Sequence, residues 1–405
     1  MWLIKLAWKN IWRNRNRTLI SMSAIFFAVI FSVVANSLWK GTFGALIQNL
    51  VGYYSGYIQI QQAGYWDEQV LDNSLEWSDS LKAEISGENN IDALSPRLES
   101  FALMSSGDIT KGCLVVGIDP MRESEVTQLQ ERLKKGRYLE SGDQAILLTE
   151  GLAEQLQLSL EDTVYIIGQG FHGATAAGKY PIKGILKYGA PDLNNRLAFL
   201  SLPAAQELYG AENRATSVVI SLHDQNLLEE TVLGLKKRLD SGLVAMTWKD
   251  MMPEIVQHMK TDHFTMQIIQ YLLYLLIAFG IFGTLTMMMV ERQFEMGMLI
   301  ALGMKKGNMI LLMVIESVFT VITGCLAGLA ASIPVAFYFK NNPIRFGGEF
   351  GKAYERFGFE AVMPGSTEPG IFWSQGLIVL CLGLLLSLYP LYKILRMDPV
   401  KAMRR

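Results

Sequence analysis

Residues 263–290 read HFTMQIIQYLLYLLIAFGIFGTLTMMMV, a run that contains no Asp, Glu, Lys or Arg. A helix needs about 20 apolar residues to cross the roughly 30 Å hydrocarbon core of a bilayer, so this run is long enough to span a membrane. Outward from it, further uncharged runs occupy residues 18–39, 317–339 and 369–392. A single run of this kind could be a buried core helix, but four in one chain predict four transmembrane helices.

The composition agrees with membrane insertion, since 50% of the residues are hydrophobic and only 18% are charged, against about 25% charged in soluble domains. The first run could instead be a cleaved signal peptide, because basic residues precede it and Val33, Val34 and Ala35 loosely resemble a cleavage site. Its length exceeds the roughly 15 residues of a signal sequence's apolar region. This favours a retained first transmembrane helix.

The distribution of charge predicts how the chain is oriented. Residues 1–17 hold five Lys and Arg and no acid, and residues 393–405 hold five with Asp398 as the one acid. Basic flanks stay on the cytoplasmic side, so both termini are expected in the cytoplasm. Residues 41–262 carry 18 Lys and Arg against 30 Asp and Glu, a charge of -12, and the remainder carries +10. A basic inner face and an acidic outer domain argue against a nucleic-acid partner and for membrane lipid.

The predicted fold class is a membrane protein with four transmembrane α-helices and a large α+β extracytoplasmic (periplasmic) domain between helices 1 and 2. Strand-like alternation and short helical patterns in residues 97–247 indicate α+β, and the polar segment 62–95 suggests a second lobe. The predicted boundaries are an amphipathic cytoplasmic-face helix at 1–17, helix 1 at 18–40 with a stalk to about 55, the periplasmic domain at 41–262, helix 2 at 263–290, a cytoplasmic helix at 291–307, helix 3 at 308–339, a periplasmic loop at 340–370, helix 4 at 371–392 and a cytoplasmic tail at 393–405.

Two motifs in the outer domain resemble a phosphate-binding loop and a metal site, but each lacks a residue or a spacing that the site requires. Residues 173–180 nearly match the phosphate-binding loop G-x-x-x-x-G-K-[ST], but Tyr180 replaces the hydroxyl residue that binds Mg²⁺ and the following segment is strand-like. We expect a hairpin tip there. His258 and His263 are five residues apart, which is the wrong spacing for two ligands on one helical face. We therefore predict no catalytic residue, no metal site and no cofactor bound by this chain.

The third predicted span carries residues suited to helix packing. Glu316 lies within it, and a carboxylate at that depth must be paired, protonated or near water, so it serves coupling and packing or lies at the membrane interface. Gly324 and Gly328 form a small-xxx-small pair, which allows another helix to approach closely. Pro390, near the end of the fourth span, is also assigned to packing or coupling.

The cytoplasmic segment 291–307, ERQFEMGMLIALGMKKG, predicts a short amphipathic helix. Phe294, Met298 and Leu302 share an apolar face, while Gly303 provides the left-handed stop. Such a helix must bury its apolar face, either in the groove of a partner protein or flat on lipid. Docking on a partner is our preferred interpretation.

This segment resembles the signature of the FtsX-like permease domain, where it forms the helix that grips an ATPase subunit. Residues 6–19 (LAWKNIWRNRNRTL) are similar to that family's basic N-terminal helix, and residues 389–402 to its C-terminal signature. Residues 116–120 (VGIDP) and 136–139 (GRYL) resemble the periplasmic core domain of MacB-type and lipoprotein-releasing (LolC/LolE) permeases. The resemblance assigns ATPase coupling to Glu291, Arg292, Glu295, Met298, Leu299, Leu302 and Gly303.

The resemblance implies an ABC transporter permease of the bacterial inner membrane that works by mechanotransmission. It implies a separate ABC ATPase that binds ATP and Mg²⁺, a homodimer or a heterodimer with a paralogous permease, and a periplasmic acceptor protein. The expected function is extraction of lipoproteins or lipid-like substrates from the outer leaflet. MacB-like export of peptides or drugs and FtsX-like regulation of a periplasmic enzyme are the alternatives. Four apolar side chains are predicted to line the substrate cavity, Phe43, Leu46, Leu50 and Met266.

Overall fold

The computed structural model describes residues 2–13, 15–291, 293–349, 351, 360–389 and 392. The described residues form two units. A helical unit draws on residues 1–44, 259–345 and 362–405, and a sheet unit on residues 45–258 and 346–361. The described helices are α1 (Trp2–Arg13), α2 (Arg15–Ile47), α3 (Tyr65–Glu68), α4 (Asp79–Ser86), α5 (Pro120–Thr127), α6 (Glu150–Leu156), α7 (Pro191–Asn194), α8 (Leu202–Tyr209), α9 (Leu228–Arg238), α10 (Trp248–Met251), α11 (Pro253–Glu291), α12 (Gln293–Ala301), α13 (Lys306–Asn341) and α14 (Pro369–Leu386).

Four segments of the described chain are long and apolar enough to cross a membrane. They are Thr18–Ser55, Pro253–Glu291, Lys306–Asn341 and Pro369–Leu386. Each includes most of one uncharged run from the sequence, because a run without charges loses little on leaving water while the helix satisfies its own backbone. A π-helical turn, Gln48–Ser55, directly follows α2.

An apolar core in the helical unit receives side chains from all four long helices. Ile25 and Val29 of α2 are buried there with Ile281 of α11, Val321 of α13 and Val379 of α14. Every one of these side chains is at most 1% exposed. The four helices therefore pack on one another as a single bundle.

The sheet unit contains most of the strands. The described strands are β1 (Ile58–Gln62), β2 (Leu75–Glu76), β3 (Ile91–Ser106), β4 (Ile109–Ile118), β5 (Leu133–Gly136), β6 (Ile146–Thr149), β7 (Thr163–Gln169), β8 (Thr175–Leu186), β9 (Leu197–Ser201), β10 (Arg214–Ala215), β11 (Ser217–Leu222), β12 (Leu243–Thr247), β13 (Ile344–Arg345) and β14 (Val362–Met363). Ten of them form one sheet in the order β12-β1-β11-β3-β4-β9-β6-β8-β5, with β7 paired to β3 and β8.

The ten-stranded sheet is mixed, with β4 parallel to β9 and β6 parallel to β8 among otherwise antiparallel pairs. Leu98, Val115 and Leu148 from its strands are fully buried with Leu152 of α6 and Tyr209 of α8. Helices thus cover a largely antiparallel sheet, and the predicted α+β fold class is confirmed.

The sequence change that suggested two lobes in this domain falls within strand β3. Strand β3 pairs with β11 along its first half and with β4 and β7 along its second half. It therefore joins the polar segment that precedes it to the alternating region that follows. The change in polarity near residue 97 coincides with the point in β3 where its pairing partners change, and two lobes remain a prediction.

The predicted periplasmic loop 340–370 contributes to both units. Strands β13 and β14 pair as a short antiparallel hairpin, with Ile344 opposite Met363. Within the sheet unit, the Asn49 side-chain amide donates a 3.0 Å hydrogen bond to Glu360 Oε2. The loop is therefore tied to the π-helical turn that follows α2.

Candidate functional site

The short helix α12 ends in a backbone motif that its sequence encodes. Gly303 has φ +101°, a left-handed conformation that glycine adopts at little cost. The Gly303 N–H donates to the Ile300 carbonyl and the Met304 N–H to the Leu299 carbonyl, both at 3.0 Å. This pair of bonds is a Schellman motif, which satisfies carbonyls that the helix end would otherwise leave open. The chain is thereby turned sharply from α12 toward α13.

Helix α12 has one exposed apolar face. Phe294, Met298 and Leu302 are 51%, 43% and 78% exposed. They lie four residues apart, which places them on one side of a helix. Together they form an apolar docking face, defined here as the side chains of Phe294, Met298 and Leu302.

The opposite face of α12 is buried in a methionine-rich core. Met296 is only 3% exposed, and Leu299 packs beside it. Leu299, one of the residues assigned to ATPase coupling, is one residue from Met298 and about 100° around the helix, and it packs against this core. The core is made by residues of α1, α11, α12 and α13, namely Ala7, Met289, Met296, Met309, Leu312 and Met313.

Helix α1 is bonded to both α12 and α13. Arg13 Nη2 lies 2.8 Å from Glu295 Oε2 in an exposed ion pair, and Asn10 Nδ2 donates a 2.8 Å hydrogen bond to Glu316 Oε1. Glu316 is 2% exposed, so it does not lie in water at the interface. The exposed pair contributes up to about 1 kcal/mol, whereas a bond to a buried carboxylate is worth about 1.5–3 kcal/mol. Asn10 is therefore the stronger of the two links.

The remaining residues assigned to coupling and packing have varied positions. Glu291 is the last residue of α11 and is exposed. Arg292 and Pro390 lie outside the described residues. Asn10 and Arg13 were not singled out from the sequence, because a polar residue in a basic helix gives no sign of its partner.

Gly324 and Gly328 bring the backbone of α13 close to α2. A Cβ atom on Gly324 would lie 3.0 Å from the Met22 carbonyl oxygen, and one on Gly328 would lie 2.8 Å from the Phe26 carbonyl oxygen. Any larger side chain would push these helices apart. This close approach is the packing that a small-xxx-small pair allows.

A cleft between α2 and α11 opens in the helical unit. Met266 is the one predicted cavity residue among its lining side chains, which also include Asn36, Trp39, His263, Gln270 and Leu273. The Trp39 ring lies 5.0 Å from the imidazole of His263. The lining thus combines apolar and aromatic surface with a few amide groups, as ligand clefts commonly do.

A polar cluster lies beside this cleft, at the meeting point of α2, α11 and α14. Gln375 Oε1 accepts hydrogen bonds from Ser32 Oγ at 2.5 Å and from Tyr274 Oη at 2.6 Å. Gln270 Nε2 lies 2.6 Å from Tyr274 Oη and 3.3 Å from Gln375 Oε1. Polar residues inside a membrane span are costly unless bonded, so such clusters mark functional positions. Single Gln, Ser and Tyr residues scattered over three spans form no motif, so this cluster was not predicted from the sequence.

The other predicted cavity residues do not share this cleft. The Phe43 ring meets that of Trp39 edge to face, with the ring centroids 5.4 Å apart. Leu46 and Leu50 belong to the sheet unit and face Trp248 and Met252. These apolar side chains recur at helical spacing in the sequence, and the helix continues from α2 into the π-helical turn. The residues that surround each side chain nevertheless differ along it.

The motifs that the sequence analysis rejected have structural roles. Residues 170–174 connect the antiparallel strands β7 and β8, as expected for a hairpin tip, and Gly178–Tyr180 lie within β8. Among the described residues no group of three or more His, Cys, Asp and Glu is placed to hold a metal ion.

Four spanning helices, with a large α+β domain inserted after the first and a short amphipathic helix after the second, are the architecture of a multi-pass membrane permease. The family model of the MacB-like periplasmic core domain matches residues 18–237. The model of the FtsX-like permease C-terminal domain matches residues 268–399. The chain therefore belongs to the FtsX/MacB-type permeases of ABC transporters, and the predicted family is confirmed.

Curated relatives carry one recurring name. The chain is 23% identical over 327 residues to the "Lipoprotein-releasing system transmembrane protein LolC" of Neisseria meningitidis serogroup B, covering 78% of this chain and 76% of the relative. It is 23% identical over 247 residues to the LolC protein of Xylella fastidiosa strain Temecula1, covering 59% of each.

Solved structures with some likeness to the chain cover about half of it. The periplasmic region of MacB from Actinobacillus actinomycetemcomitans covers 51% of this chain and 94% of its own length, with 14% identity and a TM-score of 0.36. The extracellular domain of the noncanonic ABC-type transporter YknZ from Gram-positive bacteria covers 47% and 100%, with 14% identity and a TM-score of 0.34.

Proposed function

We propose that this chain is the transmembrane subunit of an ABC transporter that extracts lipoproteins or lipid-like molecules from the outer leaflet of the bacterial inner membrane. ATP and Mg²⁺ bind to a separate ATPase subunit, and this chain transmits the ATPase's motion. The observation that carries the coupling half of the proposal is the exposed apolar docking face of α12. The substrate half is supported by the relatives named for lipoprotein release.

The docking face is suited to a protein partner. Burying one large apolar side chain is worth about 1.5–3 kcal/mol. Leu302, at 78% exposed, has the most to gain. Behind the docking face, the methionine-rich core and the Arg13–Glu295 pair hold α12 against α1 and α13. Force applied to α12 by a partner is therefore passed to the spanning helices.

The orientation follows from the same contact. Because Arg13 is bonded to Glu295, α1 and α12 lie at the same end of the helical bundle. The basic N-terminal segment favours the cytoplasmic side, so the docking face, the N-terminus and the C-terminus are all cytoplasmic in this proposal. An ATPase in the cytoplasm can then reach α12.

The cleft beside α2 and α11 is the proposed entry for substrate. Trp39, Met266 and Leu273 offer apolar contact for acyl chains, and the side-chain amide of Asn36 offers N–H donors for ester groups. The second wall of the cavity would come from another permease subunit, either a copy of this chain or a paralogue. A soluble acceptor protein would then receive the extracted molecule.

The experiment compares Leu302→Glu with Met121→Glu. Both side chains are apolar and similarly exposed, at 78% and 74%, but Met121 lies in α5 of the sheet unit. We expect Leu302→Glu to lose the ATPase on purification from native membranes and to abolish lipoprotein release from spheroplasts. Met121→Glu should retain both. Normal recovery of the ATPase with Leu302→Glu would refute docking on α12. If the unmodified protein recovers the ATPase but releases no lipoprotein, only the substrate assignment is refuted.

A further inference from the structure

The sheet unit contains a pocket that the proposed function does not use. It lies where β1, the π-helical turn and α3 meet strands β3 and β4, and its volume is about 190 Å³. That is smaller than the 300–1,000 Å³ of sites for drug-sized ligands, so it suits a small organic group. Its lining includes Gln61, Tyr65, Trp66, Glu99 and Phe101.

Glu99, which lines the pocket, belongs to a buried cluster of two carboxylates and one guanidinium. Arg97 forms a buried two-point contact with Glu123, with Nη2–Oε1 at 2.5 Å and Nε–Oε2 at 3.1 Å. Its remaining nitrogen, Nη1, lies 3.3 Å from Glu99 Oε1. One guanidinium therefore faces two carboxylates, and Glu99 is the one that lines the pocket. Burial raises the pKa of the Glu99 carboxyl, and the nearby Arg97 only partly offsets this.

Two glutamine side chains beside the pocket form a short chain of hydrogen bonds that starts at the Ser55 carbonyl. Gln59 Nε2 donates to the Ser55 carbonyl at 2.8 Å, and Gln61 Nε2 donates to Gln59 Oε1 at 2.7 Å. A backbone carbonyl can only accept, so the direction of both bonds is set from Ser55 upward. Gln61 Oε1 is consequently left buried without a hydrogen-bond partner among the residues that the structure describes. A buried acceptor without a donor costs about 1–3 kcal/mol, which a suitable ligand recovers.

We propose that this pocket binds a primary ammonium group on a short alkyl stem. The ammonium supplies N–H donors for Glu99 and Gln61, and its positive charge offsets the Glu99 carboxylate. The aromatic side chains of Tyr65 and Trp66 line the pocket and provide apolar contact for the stem. A quaternary ammonium has the charge but lacks the N–H donors, so it is the weaker ligand. This inference concerns the sheet unit alone and does not depend on coupling to an ATPase.

The test is calorimetric titration of the full chain, in nonionic detergent, with butylammonium chloride at constant ionic strength. We expect saturable binding at one site per chain. Glu99→Gln removes the charge and keeps the shape, and it should weaken binding about tenfold or more, because a hydrogen bond to a charged group is worth about 1.5–3 kcal/mol. Butan-1-ol and tetramethylammonium should bind more weakly than butylammonium.

Glu131→Gln is the matched control, since Glu131 is an exposed carboxylate of the same unit, and it should bind butylammonium as the unmodified chain does. Gln61→Leu should also weaken binding, and cooperative thermal unfolding of each variant verifies that it is folded. Absence of saturable binding to the unmodified chain, or equal binding by Glu99→Gln, would overturn the proposal.

The ammonium could belong to a free amine or to an ethanolamine phospholipid. Nanodiscs made of phosphatidylethanolamine and of phosphatidylcholine separate the two sources. A lower apparent affinity for butylammonium in the ethanolamine discs would identify the lipid headgroup as the competitor. Equal affinities in the two kinds of disc would identify a free amine.

Discussion

Replacing Arg97 with Met should strongly destabilise the sheet unit. The side chains of Arg97 and Glu123 are each 1% exposed, and Arg97 also donates a 2.6 Å bond to the Tyr54 carbonyl. Met keeps the apolar stem of the side chain, so little cavity is created. The charge of Glu123 is then buried without a partner, a situation that costs about 3–5 kcal/mol. Because Glu99 loses the same guanidinium, we expect the upper part of that range.

Hydrogen exchange of the full chain in detergent measures this loss. Amides of β3 and β11 that exchange only on unfolding of the sheet unit should exchange between about 700-fold and 4,000-fold faster in Arg97→Met, since each 1.4 kcal/mol is a factor of ten. The control is Arg196→Met, which breaks an ion pair whose two side chains are each 66% exposed and should change the free energy by less than about 1 kcal/mol.

A double variant tests the electrostatic reason. Arg97→Met combined with Glu123→Met removes both charges, so it should recover at least about 1 kcal/mol relative to Arg97→Met alone. If Arg97→Met behaves like Arg196→Met, or if the losses of the two single variants simply add, the buried pair does not hold this unit together and the reasoning fails.

Three further perturbations follow from the structure. Gly328→Leu should lower the free energy of unfolding by about 1–3 kcal/mol or more, measured by thermal unfolding of the full chain. The control is Gly280→Leu, which should leave the free energy of unfolding unchanged, because no described atom lies within 4 Å of the added Cβ. The raised pKa of Glu99 means that the folded chain keeps a proton that the unfolded chain releases, so stability should fall as pH rises from about 4.3 through the raised pKa. Glu99→Gln should flatten that slope, and an unchanged pH profile would contradict it. Gly347→Cys should react with a membrane-impermeant maleimide from outside spheroplasts, and labelling only after the cytoplasm is opened would reverse the proposed orientation. This last variant is made in a chain whose own cysteines are replaced, namely Cys113, Cys325 and Cys381.

The membrane helices were predictable because their signal is long and local. An uncharged run of 20 or more residues has few alternatives to a spanning helix, and the glycine after α12 marks its end by backbone conformation alone. The strand-like alternation within residues 97–247 was equally local, since alternation over a few residues is enough to show a strand.

Strand β3 was missed because its sequence carries the wrong signals. It contains Pro96 and the charged Arg97 and Glu99, residues that suggest an edge or a loop. Arg97 is buried only because Glu123, on a helix that follows the next strand, neutralises it. A pairing of residues that are 26 positions apart in sequence depends on the tertiary fold, and neither partner reveals it by spacing or composition.

The Gln375 cluster sets how the spanning helices can move. A carbonyl oxygen has two lone pairs, yet donors on α2 and α11 offer Gln375 Oε1 three hydrogen bonds. One donor is therefore surplus, and the oxygen remains satisfied when any single donor withdraws. Small sliding displacements among these helices can exchange one bond for another without the penalty of a bare acceptor in the membrane. The cluster therefore resists separation of the three helices but allows them to slide past one another.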